Sequence, residues 1–367
     1  MQKIKYIAFG NHSGYSQAAQ DMIFALDQSG KYDVGVEFLH ESTLRKSGMS
    51  KSRSDYLDRL KNKKIGSECV QIYHCIPTFQ RHVKKSAKNI GFATFETFDP
   101  PSEGKQNWVQ ILKRNDAVIA PSKFNFNSFS KEGLESNLFY IPHVCDGSIF
   151  HKDVEPLYDY DEFTFLFLGS WRARKGYQAL LEAWLQEFSP KDNVRLLIKT
   201  DKTQTAQRYV EKLKRDLGKN KDHAPVSFET DVLNEDNVPR LIRSVDCVVL
   251  PTLGEGFGLP GLQSMFCHVP LIVTNHSGCK DYANEDTAFL LEPEGWIMHP
   301  CLDSLPQFKN KKWPVLTSDQ VASRMRYVLE NPDVAKQKAD TAYDFARSNF
   351  SYRTVVDKFD NLINTIV

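Results

Sequence analysis

Short apolar runs alternate with segments of helical periodicity along most of this chain. The runs are predicted to form strands and fall into two series. They cover 4–9, 32–39, 70–75, 90–95, 117–120 and 138–141, then 163–168, 195–199, 226–228, 247–250 and 271–273. Helices are predicted between them at 16–26, 177–188 and 206–217, with a short buried helix at 262–267. Alternation of this kind favours parallel α/β sheets.

Two series of strands predict two domains, and a length of 367 residues agrees with that number. We expect an α/β protein in which two Rossmann-like domains face each other across a cleft. The predicted boundaries are 1–152 and 153–345, with a C-terminal helix at 346–367 that packs back towards the N-terminal domain. The acidic, proline-containing segment 153–161 is the predicted linker. In sheets of this kind, ligands bind at the carboxyl ends of the strands.

Composition narrows the class of protein. The seven scattered cysteines include no C-x-x-C pair, which favours reduced thiols over disulfides or a zinc site. The N-terminal apolar run is too short for a signal peptide, and no run approaches the ~20 apolar residues of a spanning helix. We therefore expect a cytoplasmic protein, at most peripheral at a membrane. The net charge is only +1, but the first 150 residues are mildly basic, which suits an anionic partner.

The most informative stretch follows the predicted strand at 247–250 and reads G-E-G-F-G-L-P-G-L-Q over residues 254–263. A glycine-rich turn between a strand and a helix N-terminus presents backbone N–H groups to an anion. Glu255 adds a carboxylate at this turn, and Gln263 follows eight residues later. The combination is more specific than a glycine-rich loop alone.

A basic turn follows the predicted strand at 163–168. Arg172, Arg174 and Lys175 place three cations within four positions of a strand-to-helix junction. Arginine binds phosphate oxygens bidentately and lysine acts as a compact charge, so this turn suits a diphosphate. A solvated basic turn is the alternative. An earlier turn, with Gly10 and Gly14 after the first strand, could also approach a phosphate or sugar, or be an ordinary strand-to-helix turn.

These motifs resemble those of the retaining family 4 glycosyltransferases, which have the GT-B fold. The 254–263 run resembles the E-x(7)-E signature, with Gln263 in place of the second acid. The basic turn resembles the G-R-x(4)-K-G motif: Lys175 and Gly176 match, but Ser170 stands at the arginine position. Arg172 or Arg174 would then substitute. Further similarity lies at 95–97, 115–124, 141–146, 268–274 and 277–278, so that the resemblance covers roughly 90–360.

The resemblance implies transfer of a sugar from a nucleotide-diphosphate donor to an acceptor hydroxyl, without a cofactor, a required metal or a protein nucleophile. Lys175 and one arginine would stabilise the departing diphosphate, and Glu255 would orient the donor sugar. Gln263 would bind the ribose hydroxyls. The remaining implied donor contacts are Gly10, Gly14, Ser170, Gly256, Phe257, Gly258 and Leu259. Weaker acceptor candidates are His12, Tyr15, His74 and Glu96, although a lone histidine at a strand end is more often structural.

Basic residues at 45–64 and 81–88 bear on the acceptor. They are Arg45, Lys46, Lys51, Arg53, Arg59, Lys61, Lys63, Lys64, Arg81, Lys84, Lys85 and Lys88. A solvated basic loop is one interpretation. The others are contact with an anionic membrane that holds a lipid-linked acceptor, or with the phosphates of DNA, since some viral GT-B enzymes glycosylate modified bases. A glycan, a small molecule or a protein side chain is also open as the acceptor.

Other classes share the double Rossmann layout. A sugar-nucleotide epimerase would need a catalytic acid pair that the sequence does not place, and a phosphorylase would need a much longer chain. A non-catalytic nucleotide-sugar or glycan-binding relative would be expected to lose Lys175 or Glu255, and both are present. The sequence therefore predicts an active transferase.

Overall fold

The computed structural model describes residues 1–11, 13–40, 49–80, 88–102, 107–218, 222–231 and 233–367. These residues form two compact units. Unit 1 consists of Met1–Ser148, Asn234–Asp236 and Arg347–Val367, and unit 2 consists of Ile149–Leu233 and Asn237–Ala346.

Unit 1 is built on a six-stranded parallel sheet. In order across the sheet, its strands are β2 (Tyr32–Leu39), β1 (Gln2–Phe9), β3 (Val70–His74), β4 (Lys88–Phe92), β5 (Ala117–Ala120) and β6 (Leu138–Tyr140). Its helices are α1 (Gly14–Gln28), α2 (Lys51–Lys61), α3 (Trp108–Leu112), α4 (Lys123–Lys131) and α11 (Tyr352–Ile366).

The C-terminal helix belongs to the core of unit 1. Its buried residues recur every three or four positions and form one apolar stripe: Val355, Val356, Phe359, Leu362 and Ile363. The Phe359 ring meets Tyr32 of β2 edge to face, with the ring centroids 5.6 Å apart. This stripe packs in one hydrophobic core with α1 and the sheet. The last residues of the chain are thereby held in the same unit as the first residues.

Unit 2 contains a second six-stranded parallel sheet. Its strands, in order, are β12 (Phe289–Leu291), β11 (Leu271–Thr274), β10 (Cys247–Leu250), β7 (Phe163–Leu168), β8 (Val194–Lys199) and β9 (Val226–Glu229). Its helices are α5 (Tyr177–Glu187), α6 (Thr203–Asp216), α7 (Asn237–Arg243), α8 (Leu259–Phe266), α9 (Ser318–Glu330) and α10 (Pro332–Phe350), the last of which continues into unit 1.

The expectation of two Rossmann-like α/β domains is confirmed. Each predicted strand is present, and most boundaries move by one or two residues. The largest difference is β4, which ends at Phe92 and not at 95. Hydroxyl side chains fix several helix starts: Ser13 accepts a hydrogen bond from the Ser16 N–H at 3.2 Å, so α1 begins two residues before its predicted start.

An antiparallel hairpin in unit 2 was not predicted. Strands β13 (Gly295–Cys301) and β14 (Lys309–Val315) pair with each other and form a separate two-stranded sheet. The hairpin follows directly after β12, so it starts at the carboxyl edge of the parallel sheet. Its apolar run is limited to 296–298, and three lysines interrupt the pattern of β14.

The segment predicted as a linker, 153–161, lies on unit 2. The Leu157 and Tyr158 N–H groups both donate to the Ser244 hydroxyl at 2.8 Å, and the Tyr158 hydroxyl donates to Glu229 at 2.6 Å. These bonds attach the segment to α7 and to the end of β9.

All seven cysteines lie in the described part of the chain and are free thiols. Within that same part, no helix combines the length and the apolar character that crossing a bilayer requires.

Candidate active site

Two loops of unit 2 meet where the order of its strands reverses. From β7 the chain proceeds to β8 and β9 on one side, and it then returns to place β10 on the other side of β7. Because β7 and β10 are parallel neighbours, the loops after them leave the same edge of the sheet. This reversal is the place where open α/β sheets bind ligands. The basic turn follows β7, and the glycine-rich turn follows β10.

Glu255 lies between two cations at this edge. The Lys175 ammonium contacts Glu255 Oε1 at 2.5 Å, and Arg174 Nη1 lies 3.4 Å from Oε2. The Thr252 hydroxyl donates to Oε1 at 3.0 Å. The structure thus brings together three residues that the sequence predicts as catalytic, and we call them the Glu255 cluster: Glu255, Lys175 and Arg174.

The charge state of Glu255 follows from these contacts. Burial alone would raise the pKa of its carboxyl, but the charges of Lys175 and Arg174, with hydrogen bonds from Lys175 and Thr252, lower the pKa below its usual value. Glu255 is therefore an anion at neutral pH. It can accept hydrogen bonds from a ligand, but it is a poor proton donor.

Gly176 sets the distance between the two loops. Its backbone is left-handed, with φ of 72°, and a Cβ placed there would lie 1.8 Å from the Pro251 carbonyl oxygen. The Leu253 N–H donates to the Arg174 carbonyl at 2.7 Å, and this hydrogen bond holds the two loops together at the same place. The lysine-glycine pair in the sequence therefore supplies a charge and the space that lets this charge reach Glu255.

The backbone of the glycine-rich turn is fixed by neighbouring side chains. The Tyr282 hydroxyl donates to the Gly258 carbonyl at 2.7 Å, and the Ser277 hydroxyl accepts from the Glu255 N–H at 2.9 Å. Phe257 is buried with its ring edge-on to Tyr282, at 5.7 Å between centroids. Tyr282 was missed in the sequence and Ser277 was given no role there, because both lie beyond the motif and act through its backbone.

The two candidate arginines have different surroundings. Arg174 Nη1 donates to the Gly254 carbonyl at 3.0 Å, and its Nε lies 3.7 Å from Asp303 Oδ2. Arg172 is half-exposed, and among the described residues no carboxylate lies within ion-pair distance of it. Arg174 is thus shared between two carboxylates, whereas the charge of Arg172 is available to a ligand.

Asp303 is a site residue that sequence reasoning did not find. It lies in the turn between β13 and β14, where its backbone is left-handed with φ of 59°, and its side chain is buried. Oδ1 also accepts a long hydrogen bond, 3.4 Å, from the Arg174 N–H. No local signal could reveal it, since its partner lies 129 positions away.

The remaining donor candidates of unit 2 lie on the same edge. Gln263 is in the second turn of α8 and is 8% exposed. Gly256 and Leu259 lie on either side of Phe257 and Gly258, and the Ser170 carbonyl accepts from the Arg172 N–H at 2.8 Å. A small pocket opens here, lined by Phe167, Leu168, Lys175, Leu250, Thr252, Glu255, Gly258, Pro260, Cys279 and Tyr282.

The candidates of unit 1 form no comparable cluster in its described part. His74 is fully buried, stacks on Phe92 with the ring centroids 3.8 Å apart, and pairs with the Tyr6 hydroxyl at 2.7 Å. Burial lowers the His74 pKa well below its usual value, and the neighbouring His143 lowers it further. His74 is therefore a neutral interior side chain.

The other candidates of unit 1 surround the first turn. The Tyr15 hydroxyl donates to the Thr94 carbonyl at 3.0 Å; burial, and then the charge of Glu96, raise its pKa above the usual value. The Gly10 N–H donates to the Leu39 carbonyl at 3.0 Å, and Gly14 is the exposed first residue of α1. His12 lies outside the described residues.

The basic segment is in part an interior structure. Residues 51–61 form α2, and Arg53 is enclosed by three carboxylates: Asp21 at 3.0 Å, Asp146 at 2.8 Å and Glu235 at 3.1 Å. We call these four residues the Arg53 cluster.

Other cations of the basic segments are also paired: Arg59 with Asp27 at 3.1 Å and Lys63 with Asp33 at 2.5 Å. Arg45, Lys46, Arg81, Lys84 and Lys85 lie outside the described residues. Counting these cations as one surface patch was wrong for Arg53, because α2 turns that side chain inwards.

Comparison with known proteins finds a family match that spans both loops. Residues 162–297, which include both loops, match the family model of Glycosyl transferases group 1. An uncharacterized protein of Sulfolobus islandicus rod-shaped virus 1 is 23% identical over 281 residues, 71% of this chain and 72% of that protein. An uncharacterized glycosyltransferase of Methanocaldococcus jannaschii is 29% identical over 118 residues, 32% of this chain and 28% of that protein.

Solved structures show the same fold. Anabaena HepE, in complex with UDP and glucose, aligns over 100% of both chains with a TM-score of 0.69 and 14% identity. Sucrose-phosphate synthase of Thermosynechococcus elongatus aligns over 100% of this chain and 99% of that chain, also with a TM-score of 0.69 and 14% identity. The chain therefore has the GT-B fold, and its residues 162–297 match the glycosyl transferases group 1 family.

Proposed function

We propose that this chain is a retaining glycosyltransferase of the family 4 type, which moves a sugar from a nucleotide-diphosphate donor to an acceptor hydroxyl. The observation that carries the proposal is the Glu255 cluster at the reversal of strand order. There the anionic carboxylate of Glu255 and the Lys175 ammonium line one small cavity, and Arg174 pairs with the same carboxylate. Arg172 lies two positions before Arg174 in the same loop.

The cations suit the departing nucleoside diphosphate. Lys175 has three N–H donors, so it can hold Glu255 and also a phosphate oxygen. Arg172 adds a guanidinium that can bind phosphate bidentately. As the bond between the sugar and the diphosphate breaks, negative charge grows on the leaving oxygen, and fixed cations stabilise that charge.

The proton balance needs no protein base. In the proposed reaction the acceptor hydroxyl attacks the anomeric carbon from the face that the diphosphate leaves, and the departing phosphate oxygen takes the acceptor proton. Glu255, ionised by its surroundings, accepts hydrogen bonds from the donor sugar and orients it. The configuration of the anomeric carbon is retained, and neither a metal ion nor a cofactor is part of the proposal.

For the donor, we propose a UDP-sugar as the first choice, because HepE was solved with UDP and glucose. Gln263 is proposed to bind the ribose, and Ser170 with the backbone from Gly256 to Leu259 to bind phosphate or sugar oxygens. Gly10 and Gly14 stay predicted donor contacts. Gln263→Glu should keep substantial activity, since both side chains accept hydrogen bonds from hydroxyls, whereas Gln263→Ala should raise the donor KM.

For the acceptor, we propose a glycan or a lipid-linked saccharide, modified on the cytoplasmic side. Duplex DNA with modified bases is the alternative, and it serves as a second acceptor in the same assay.

The decisive experiment offers a panel of nucleotide sugars and follows release of the nucleoside diphosphate, first without acceptor and then with each acceptor class. NMR of the product gives the anomeric configuration, and a chelator arm tests for a metal requirement. The proposal is supported if the wild-type product has the retained anomeric configuration and if turnover disappears in Lys175→Ala. Tight donor binding without any turnover would identify a non-catalytic binding protein, and an inverted anomer would exclude the retaining mechanism.

A further inference from the structure

Three consecutive large apolar side chains are exposed on β13. Trp296, Ile297 and Met298 have exposed fractions of 37%, 53% and 63%. Successive residues of a strand point to opposite faces, so the apolar surface covers both sides of the hairpin and not one side that could be turned inwards. Large exposed apolar surfaces of soluble domains mark sites of interaction.

The partner strand carries unneutralised positive charge. Met298 pairs with Lys312, His299 with Lys311 and Cys301 with Lys309 in the register of the hairpin. Among the described residues, no carboxylate lies within ion-pair distance of these three lysines. The contrast with unit 1 is direct, because Arg53, Arg59 and Lys63 there each have an acidic partner.

The hairpin is held from its base. Trp313 of β14 is buried and meets Phe308 edge to face at 5.1 Å between centroids. Trp296 packs against His276 at 4.8 Å, and the Lys312 ammonium lies 5.8 Å from the Trp296 ring centroid. The exposed side chains therefore stand on a fixed support, so a partner would not have to order them on binding.

We propose that the hairpin β13–β14 docks on the surface of an anionic lipid membrane. An amphipathic surface of this kind places aliphatic and tryptophan side chains at the boundary between headgroups and acyl chains, and lysines beside anionic headgroups. Duplex DNA would satisfy the lysines, but its phosphates offer Ile297 and Met298 no apolar contact. The combination of charge and exposed aliphatic surface thus favours lipid.

The hairpin contacts the candidate active site at its turn. Asp303, in the turn that joins the two strands, contacts Arg174 of the Glu255 cluster. A membrane bound by the hairpin would hold its headgroups on the unit that carries the residues we assign to the donor. This step rests on the proposed function, and it favours a lipid-linked acceptor; docking itself does not rest on it.

The test is co-sedimentation of the full chain with vesicles of phosphatidylcholine alone and of phosphatidylcholine with a quarter phosphatidylglycerol, across a salt series. We expect binding to the anionic vesicles that weakens as salt rises. Charge reversal of Lys309, Lys311 and Lys312 to Glu should weaken binding roughly 100-fold. Ile297→Ser combined with Met298→Ser should weaken it about tenfold or more.

Matched controls use exposed residues elsewhere. Reversal of Lys113, Lys131 and Lys336 changes the same number of charges outside the hairpin and outside the basic segments, and Tyr327→Ser removes another exposed ring. Both should bind vesicles as the wild type does. Circular dichroism and donor hydrolysis without acceptor show that each variant is folded.

Three results would overturn the proposal: no binding of the wild type to anionic vesicles, an unchanged affinity in the hairpin variants, or hairpin-dependent binding of duplex DNA without binding of vesicles. Failure of the proposed function looks different. A protein that binds vesicles through the hairpin but hydrolyses no nucleotide sugar would leave the docking surface in place and remove the transferase.

Discussion

Two ionic clusters of this molecule are opposite in composition. In the Arg53 cluster of unit 1, one cation is enclosed by three carboxylates; in the Glu255 cluster of unit 2, one carboxylate lies between two cations. The first has a surplus of negative charge and joins α1, α2 and more distant segments of unit 1. The second borders a cavity, with a further cation, Arg172, close to it in sequence.

The difference separates a structural cluster from one suited to a ligand. Burial of three carboxylates around one cation is unfavourable unless one of them takes up a proton, and burial raises the pKa of Asp21 to about 6 even though Arg53 acts in the opposite direction. The Glu255 carboxyl has a lowered pKa and stays ionised. Because Asp303 balances the charge of Arg174, the positive charge that an incoming diphosphate could match is that of Arg172.

The largest expected effect is on stability and comes from Arg53. Arg53→Ala would leave three carboxylates buried without their cation, and removal of one partner of a buried ion pair typically costs about 3–5 kcal/mol. Amide hydrogen exchange of α1 and α2 should therefore accelerate strongly. The control is Arg59→Ala, whose ion pair with Asp27 is solvent-exposed and should contribute about 1 kcal/mol or less. Equal effects of the two variants would contradict the structural role of the Arg53 cluster.

For Lys175 we expect a loss of turnover and not of stability. Lys175→Ala should lower donor turnover by about two to three orders of magnitude, the range for removing one group that stabilises charge in a transition state. Lys191→Ala removes an exposed lysine of the same unit and should leave turnover unchanged. Activity of Lys175→Ala within a few-fold of wild type would remove this residue from the mechanism.

The pH dependence of stability should show the protonation of Asp21. Its folded pKa, about 6, lies above the usual value of 3.8, so its stabilising contribution is present below about pH 4 and is lost as pH rises through 6. Asp21→Asn cannot titrate. The unfolding free energy of the wild type relative to Asp21→Asn should fall between pH 4 and pH 7, by up to about 3 kcal/mol. A difference that rises with pH would mean that Arg53 holds Asp21 ionised.

The smallest effects should distinguish the two arginines. Arg172→Ala should raise the donor KM about tenfold, as expected for one lost charged contact, and leave thermal stability unchanged. Arg174→Ala should lower stability, because it leaves the buried Asp303 without its cation. Donor titrations and thermal unfolding of both variants measure this. If Arg174→Ala loses donor affinity while Arg172→Ala does not, the two roles are reversed.

The parallel sheets could be predicted because their strands are short, apolar on both faces and followed by glycine or cations at one edge. The hairpin could not be, since Lys309, Lys311 and Lys312 interrupt any apolar pattern in β14 and its two strands form a sheet of their own. Lys175 and Glu255 were found through local motifs, and the structure brings them together. Asp303 and the inward orientation of Arg53 depend on partners far away in sequence, which no periodicity or motif reveals.

The contact of Gly176 with the Pro251 carbonyl has a consequence for engineering. Steric contact and backbone hydrogen bonds set the spacing of the two loops, so the frame of the site does not depend on the charges that it presents. Residues such as Ser170 and Arg172 can then be exchanged to alter the choice of donor without displacing Glu255. A side chain at position 176 would have the opposite effect: every charged group would be kept, but the two loops that carry them would be pushed apart.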